Sequence, residues 1–153
     1  MNIFVVDKDP VVSAKQLCDQ HVVKMPLENC QMLSAVFEDD YCGHPKAVFK
    51  HPCTLWLKKS KQNIWWLLSH HVALLAEYTF RYGKEHKFAN SPLYFAAKAS
   101  LSDIPDAGLT QFANATPYKE MSPIHAYRHF YRMDKSKFAR WKYTEMPPWL
   151  LAS

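Results

Sequence analysis

Between Cys18 and Gln31 the chain reads CDQHVVKMPLENCQ, with Asp19, His21, Lys24 and Glu28 set into an otherwise apolar stretch. Ionisable side chains in an apolar run cost free energy unless they are paired or used. On a helix, His21 and Lys24 are neighbours at i, i+3, and Lys24 and Glu28 at i, i+4, although Pro26 lies inside the second interval. One reading is a salt-bridged surface flank. The sharper one is a carboxylate beside cations, able to protonate a leaving atom or to stabilise positive charge developing on a sugar ring. Glu28 is the first candidate catalytic residue, with His21 as its companion. Asp9 has a sufficient role as a helix cap. Asp7 has none visible in the sequence, which makes it a candidate base.

A second cluster supports chemistry on a polyanion. Residues 119–143 hold seven lysines and arginines against two acids, interleaved with Tyr127, His129, Tyr131, Trp141 and Tyr143. Cations that meet phosphates, beside rings that stack on bases, suit nucleic-acid binding. Arg128, His129, Arg132, Lys135, Arg140, Trp141 and Lys142, together with Lys24, are the candidate contacts to DNA or a nucleotide. The alternative is a solvated helix face with its aromatics turned inward. The formal net charge of +5 points the same way, as evidence about partners and not about fold. Cys42, His44, His51 and Cys53 are ligand types for zinc, but C-x-H followed by H-x-C is not a common zinc spacing. No metal and no cofactor is expected.

These residues need a scaffold. A chain of 153 residues with 48% hydrophobic side chains suits one core, and three glycines leave little for hairpins or phosphate loops. The patterning predicts an all-α, compact helical bundle, a single domain over 1–153, with an ordered N-terminal segment and long irregular connections. Residues 1–8 read as a strand or as a tail threaded against helices. Asp9-Pro10 opens a helix that runs to about Lys24, kinks or restarts at Pro26, and continues to about Glu38. A loop over 38–53 precedes one long core helix from about Thr54 to Tyr82, stopped by Gly83. Ser91-Pro92 and Ser122-Pro123 repeat the cap-then-proline start. Residues 101–121 read as an irregular connection, and 134–141 as one or two further turns. No apolar run suits a membrane span and no secretory signal is visible. The expected setting is therefore cytoplasmic, with the cysteines reduced.

The opening stretch resembles the phage pyrimidine-dimer DNA glycosylase (endonuclease V) and its pyrimidine-excision family. In that family an Asp-Gln-His near the N-terminus precedes the catalytic glutamate by the interval that separates Asp19-Gln20-His21 from Glu28. LLAEYTFRYGKEH, from Leu74, is similar to the end of the family's long middle helix. Tyr127 to Tyr143 is similar to its basic, aromatic C-terminal part. The resemblance implies an all-α domain that flips a base and cleaves the N-glycosidic bond, with AP lyase activity through an N-terminal α-amine. It implies that Glu28 is the central carboxylate and His21 the histidine near the substrate. Two nucleophiles stay open: the amine of Met1, or a water activated with Asp7 as base. The chain also resembles a group of tailed-phage proteins, which would make its setting a host cytoplasm. Two other roles remain: holding or cleaving a nucleotide such as a host immune signal, and inhibiting a host protein.

Overall fold

The computed structural model describes residues 2–43 and 45–151. Within them the protein is all helical and contains no strand. The helices are α1 (Pro10–Gln16), α2 (Asp19–Val36), α3 (Pro52–Lys59), α4 (Lys61–Tyr82), α5 (Ser91–Leu101) and α6 (Pro123–Phe130). Short 3-10 turns cover Lys46–Lys50 and Pro148–Leu150, and a π-helical turn, Tyr131–Lys135, extends α6. α4 is the axis, packed against α1, α2, α3 and α5. Trp56, Leu67, Leu74 and Phe95 are fully sequestered around it, and each such side chain contributes roughly 1.5–3 kcal/mol by burial. No helix among the described residues is long and apolar enough to cross a membrane.

The helix starts follow local chemistry. Asp9 accepts from the amides of Val11 and Val12, and Pro10 takes the first turn of α1. Ser122 and Pro123 open α6 in the same order. Gly83 ends α4 at φ 67°, and its amide bonds to Thr79. At that angle glycine carries no side-chain penalty. Two expected boundaries are corrected. The first helix breaks at Leu17–Cys18, not at Pro26, and Pro26 sits inside an unbroken α2. The expected helix from Thr54 to Tyr82 is two helices, divided at Ser60, whose hydroxyl caps Gln62. In both places distant groups satisfy the backbone that the break exposes. The Lys61 amide bonds to Pro105 O, and the Asp19 amide to Arg140 O.

The break at Leu17–Cys18 is held by Arg81, which is 3% exposed. Its guanidinium donates to Leu17 O at 2.8 Å, Lys15 O at 2.9 Å, Asp19 Oδ1 at 3.1 Å and Glu77 Oε2 at 3.0 Å. Asp19 also accepts from the Lys142 amide at 2.8 Å. The aspartate of the Asp-Gln-His triplet is thus a junction between α2, α4 and the C-terminal segment. Arg81→Met keeps the aliphatic stem but leaves two nearly buried carboxylates and two carbonyls without their donor. We expect a loss of about 3–5 kcal/mol, read as a lower urea midpoint at unchanged m-value. An unchanged midpoint would show that Arg81 does not hold the junction.

The N-terminal segment is a threaded tail. Ile3, Phe4, Val5 and Val6 are buried without strand pairing, so side chains must satisfy their backbone. Val6 N donates to Ser13 Oγ, Val6 O accepts from Arg128 Nε, and Lys8 O accepts from Trp66 Nε1. The segment is thereby fixed against α1, α4 and α6.

Candidate active site

His21, Lys24 and Glu28 recur at i, i+3 and i+7, so the unbroken α2 presents them on one face. That face forms one wall of a cleft of about 510 Å³. The opposite wall is Phe130, Lys135 and Phe138, and the N-terminal segment closes the cleft with Asn2 and Phe4. Glu28 is 6% exposed. Its Oε2 accepts from the Asn2 amide at 3.1 Å, and its Oε1 lies 3.7 Å from Lys24 Nζ. The Lys24 side chain is 67% exposed, so this pair is solvent-screened and worth little as a stabilising contact. Its effect is to set positive potential at the cleft mouth.

Asn2 shapes the tail locally. Its Oδ1 accepts from the amides of Ile3 at 2.8 Å and Phe4 at 3.3 Å. The chain turns so tightly there that Phe4 adopts φ 57°. A bulky residue in the left-handed region costs on the order of 1–3 kcal/mol, and such residues cluster at functional sites. Here the turn directs the Phe4 ring onto the imidazole of His21, stacked at 4.1 Å between centroids. Phe130 stacks on Phe4 at 6.1 Å, and Tyr131 meets Phe4 edge-on at 5.7 Å.

Burial, reinforced by the nearby Lys135 and Lys24 charges, lowers the pKa of His21 to about 3. The imidazole is neutral at pH 7. Its Nδ1 is hydrogen-bonded to the hydroxyl of Tyr131. Lys135 Nζ lies 4.6 Å from the Phe130 centroid and 5.6 Å from that of Phe138. Its aromatic neighbours therefore hold this cation over the cleft.

The sequence-derived candidates divide. Glu28, His21, Lys24 and Lys135 share the cleft. Arg132, Arg140, Trp141 and Lys142 line a neighbouring cavity of about 780 Å³ that also includes Asp19. Asp7 lies elsewhere: its Oδ2 is 3.6 Å from Arg128 Nη2, its Oδ1 accepts from the Asp9 amide, and it lines a third cavity, of about 680 Å³, with Arg128. Arg128 is occupied with Asp7 and Val6 O, and His129 packs edge-on against Tyr118 at 4.5 Å. Met1, the candidate amine, lies outside the described residues, as does His44. Cys42 bonds to Ser34, and His51 accepts from the Cys53 amide as the cap of α3. Among the described residues no three His, Cys, Asp or Glu side chains are grouped to hold a metal.

Asn2, Phe4, Phe138 and the buried hydroxyl of Tyr131 are site residues that sequence reasoning did not select. The high aromatic density of 127–143 flagged that region. Nothing in MNIFVV announces that its phenylalanine stacks on a histidine of α2.

Fold and cleft together define a helical protein that gathers a buried carboxylate, a neutral imidazole and two lysines at one cleft. Residues 1–90 match the family described as pyrimidine dimer DNA glycosylase. The chain belongs to that family, a family of enzymes that act on DNA. No curated protein and no solved structure matches it.

Proposed function

We propose that the protein is a DNA glycosylase that cleaves the N-glycosidic bond of an extruded nucleotide, with Glu28 as its central carboxylate. The observation that carries this reading is the 3.1 Å hydrogen bond from the Asn2 amide to Glu28 Oε2. It ties the N-terminal segment to the carboxylate inside a cleft flanked by lysines. The sugar acquires oxocarbenium character as the base departs, and a carboxylate fixed beside it stabilises that charge without reorganising. The same bond favours an amine route over a water activated by Asp7, because Asp7 lines a separate cavity. In the amine route the α-amine of Met1 attacks C1′, the C1′–base bond breaks, and the base leaves with a proton. The resulting Schiff base permits elimination of the 3′ phosphate, which is the AP lyase step. Borohydride reduction should then trap a covalent protein–DNA adduct whose modified peptide is the N-terminal one. Base release without any trappable adduct would point to hydrolysis. The absence of both base release and an adduct would remove the enzymatic reading and leave a nucleotide or nucleic-acid binder.

The DNA backbone is proposed to cross Lys24 and Lys135 at the cleft and Arg132, Arg140 and Lys142 in the adjoining cavity. Trp141 gives that cavity a ring for stacking. Its indole N–H is anchored on Gln16 O at 3.0 Å. For Lys135→Ala we expect weaker DNA binding and a log K against log [salt] slope reduced by about one. An unchanged slope would take Lys135 out of the phosphate contacts.

A further inference from the structure

Tyr131 is completely buried and begins the π-helical turn that follows α6. Its hydroxyl sits at a meeting point. It is hydrogen-bonded to His21 Nδ1, it accepts from the Cys18 amide at 3.3 Å, and it lies 3.7 Å from Cys18 Sγ. Burial raises the phenol well above its usual range, so the oxygen keeps its proton. That single proton permits two arrangements. In the first, Tyr131 donates to Nδ1 and the imidazole proton is on Nε2. In the second, Nδ1–H donates to Tyr131, and the phenol proton is left to the Cys18 sulfur.

Acceptor strength decides between them. An imidazole nitrogen is a good acceptor and a thiol sulfur a weak one, so the phenol proton belongs on the Nδ1 side. The second arrangement also asks the Tyr131 oxygen to accept twice while wasting its donor. A half-turn of the ring would put the Cδ2–H where Nδ1 stands and lose the bond to Tyr131, so the orientation is fixed as well as the tautomer. Nε2 has no hydrogen-bond partner among the described residues, and His21 lines the Glu28 cleft. The groups facing the imidazole are Lys24 and Glu28 from α2, Lys135, Phe138 and Tyr131 from the segment after α6, Cys18, and Phe4 from the tail.

We infer that Tyr131 is a positioning residue that locks His21 as the Nε2–H tautomer, making it a hydrogen-bond donor to an oxygen acceptor of the nucleotide bound at Glu28. The inference rests on the reading of this cleft as the nucleotide site. In it His21 transfers no proton. It holds an acceptor, a base carbonyl or a sugar oxygen, while Glu28 meets the developing positive charge.

The test uses the full chain with 15N-labelled histidine. Long-range 1H–15N correlation at pH 7 should show His21 with a protonated Nε2 and a bare, hydrogen-bonded Nδ1. Tyr131→Phe keeps the ring and removes the hydroxyl. It should yield a mixture of tautomers and a kcat for base release lower by about tenfold or more at unchanged KM, short of the roughly 10²–10³-fold expected for loss of a direct donor. A proton on Nδ1 in the wild-type protein overturns the proposal, and that spectrum needs no variant to fold. A Tyr131→Phe protein that loses rate while retaining the pure Nε2–H tautomer also overturns it. If Glu28→Gln proves harmless to base release, the site reading fails while the tautomer result stands, so the two failures are separable.

Discussion

Glu28→Gln should abolish base release and leave DNA binding intact. The substitution is nearly isosteric, and the glutamine carbonyl can still accept from the Asn2 amide, so the tail and the cleft keep their geometry. What disappears is one negative charge in a site where Glu28 is 6% exposed and Coulomb interactions are stronger than in water. The ground-state sugar carries no formal charge, whereas the transition state carries a positive one. The carboxylate therefore acts on the barrier and not on affinity. The expected loss is on the order of 10³-fold in single-turnover base release, matching the known cost of removing one preorganised electrostatic group. DNA affinity should stay unchanged or rise slightly, because the lost charge repelled phosphate. Wild-type base release in the glutamine variant would end the assignment of Glu28 as the central carboxylate.

The second large effect concerns acid. Burial lowers the pKa of His21 to about 3, of His70 to about 4 and of His71 to about 3. In the unfolded chain the same groups take up protons near 6.5. Below that pH the unfolded state binds more protons than the folded one, so stability falls as pH falls. It is fully present above about 6.5 and is lost on the way down towards the folded values. Each histidine contributes about 1.4 kcal/mol per pH unit, and three together about 4 kcal/mol per unit. Against a typical total of about 5–15 kcal/mol, helix content followed by circular dichroism should collapse between about pH 5 and pH 4, with an uptake of about three protons. Native helicity persisting at about pH 3.5 would contradict the buried neutral state. Burial outweighs the Pro10 carbonyl, which on its own favours a charged His70, and the neighbouring His70 and His86 add to the effect of burial on His71. His71 bonds to Ser91 at 2.7 Å and to Asn29 at 3.3 Å, and His70 bonds to Pro10 O at 3.0 Å while stacked on Trp66.

Much of this was legible in the sequence. Asp9-Pro10, Ser122-Pro123 and Gly83 marked helix ends because their effect is local: Asp9 accepts two amides, a proline suits the first turn of α1 and of α6, and glycine allows the positive φ that ends α4. His21, Lys24 and Glu28 were legible as one face because helical spacing alone aligns them. Pro26 misled because its local penalty is real but small beside what holds α2. Twelve of that helix's residues are buried, and His86 Nε2 reaches Val23 O, in the turn before the proline, at 3.3 Å. The true break at Leu17–Cys18 is set by Arg81 and Tyr131, 64 and 113 residues away along the chain. No pattern within a helical window encodes such partners. The basic C-terminal segment was legible as a composition but not as a surface. The path through α6, its π-helical turn and the irregular segment beyond sends Lys135 to the cleft, Arg132 and Arg140 to the next cavity, and Arg128 back to Asp7.

The two walls of the cleft have different standing in the chain. The carboxylate wall and the tail that closes it lie within residues 1–90, the span that matches the family. Phe130, Lys135 and Phe138 lie outside it. The matched span therefore supplies one wall and the closing tail, and residues 130–138 supply the rest. A cleft assembled from both ends of the chain exists only once the chain has folded, so a fragment ending at residue 90 would carry Glu28 and His21 without the rings and the lysine that face them.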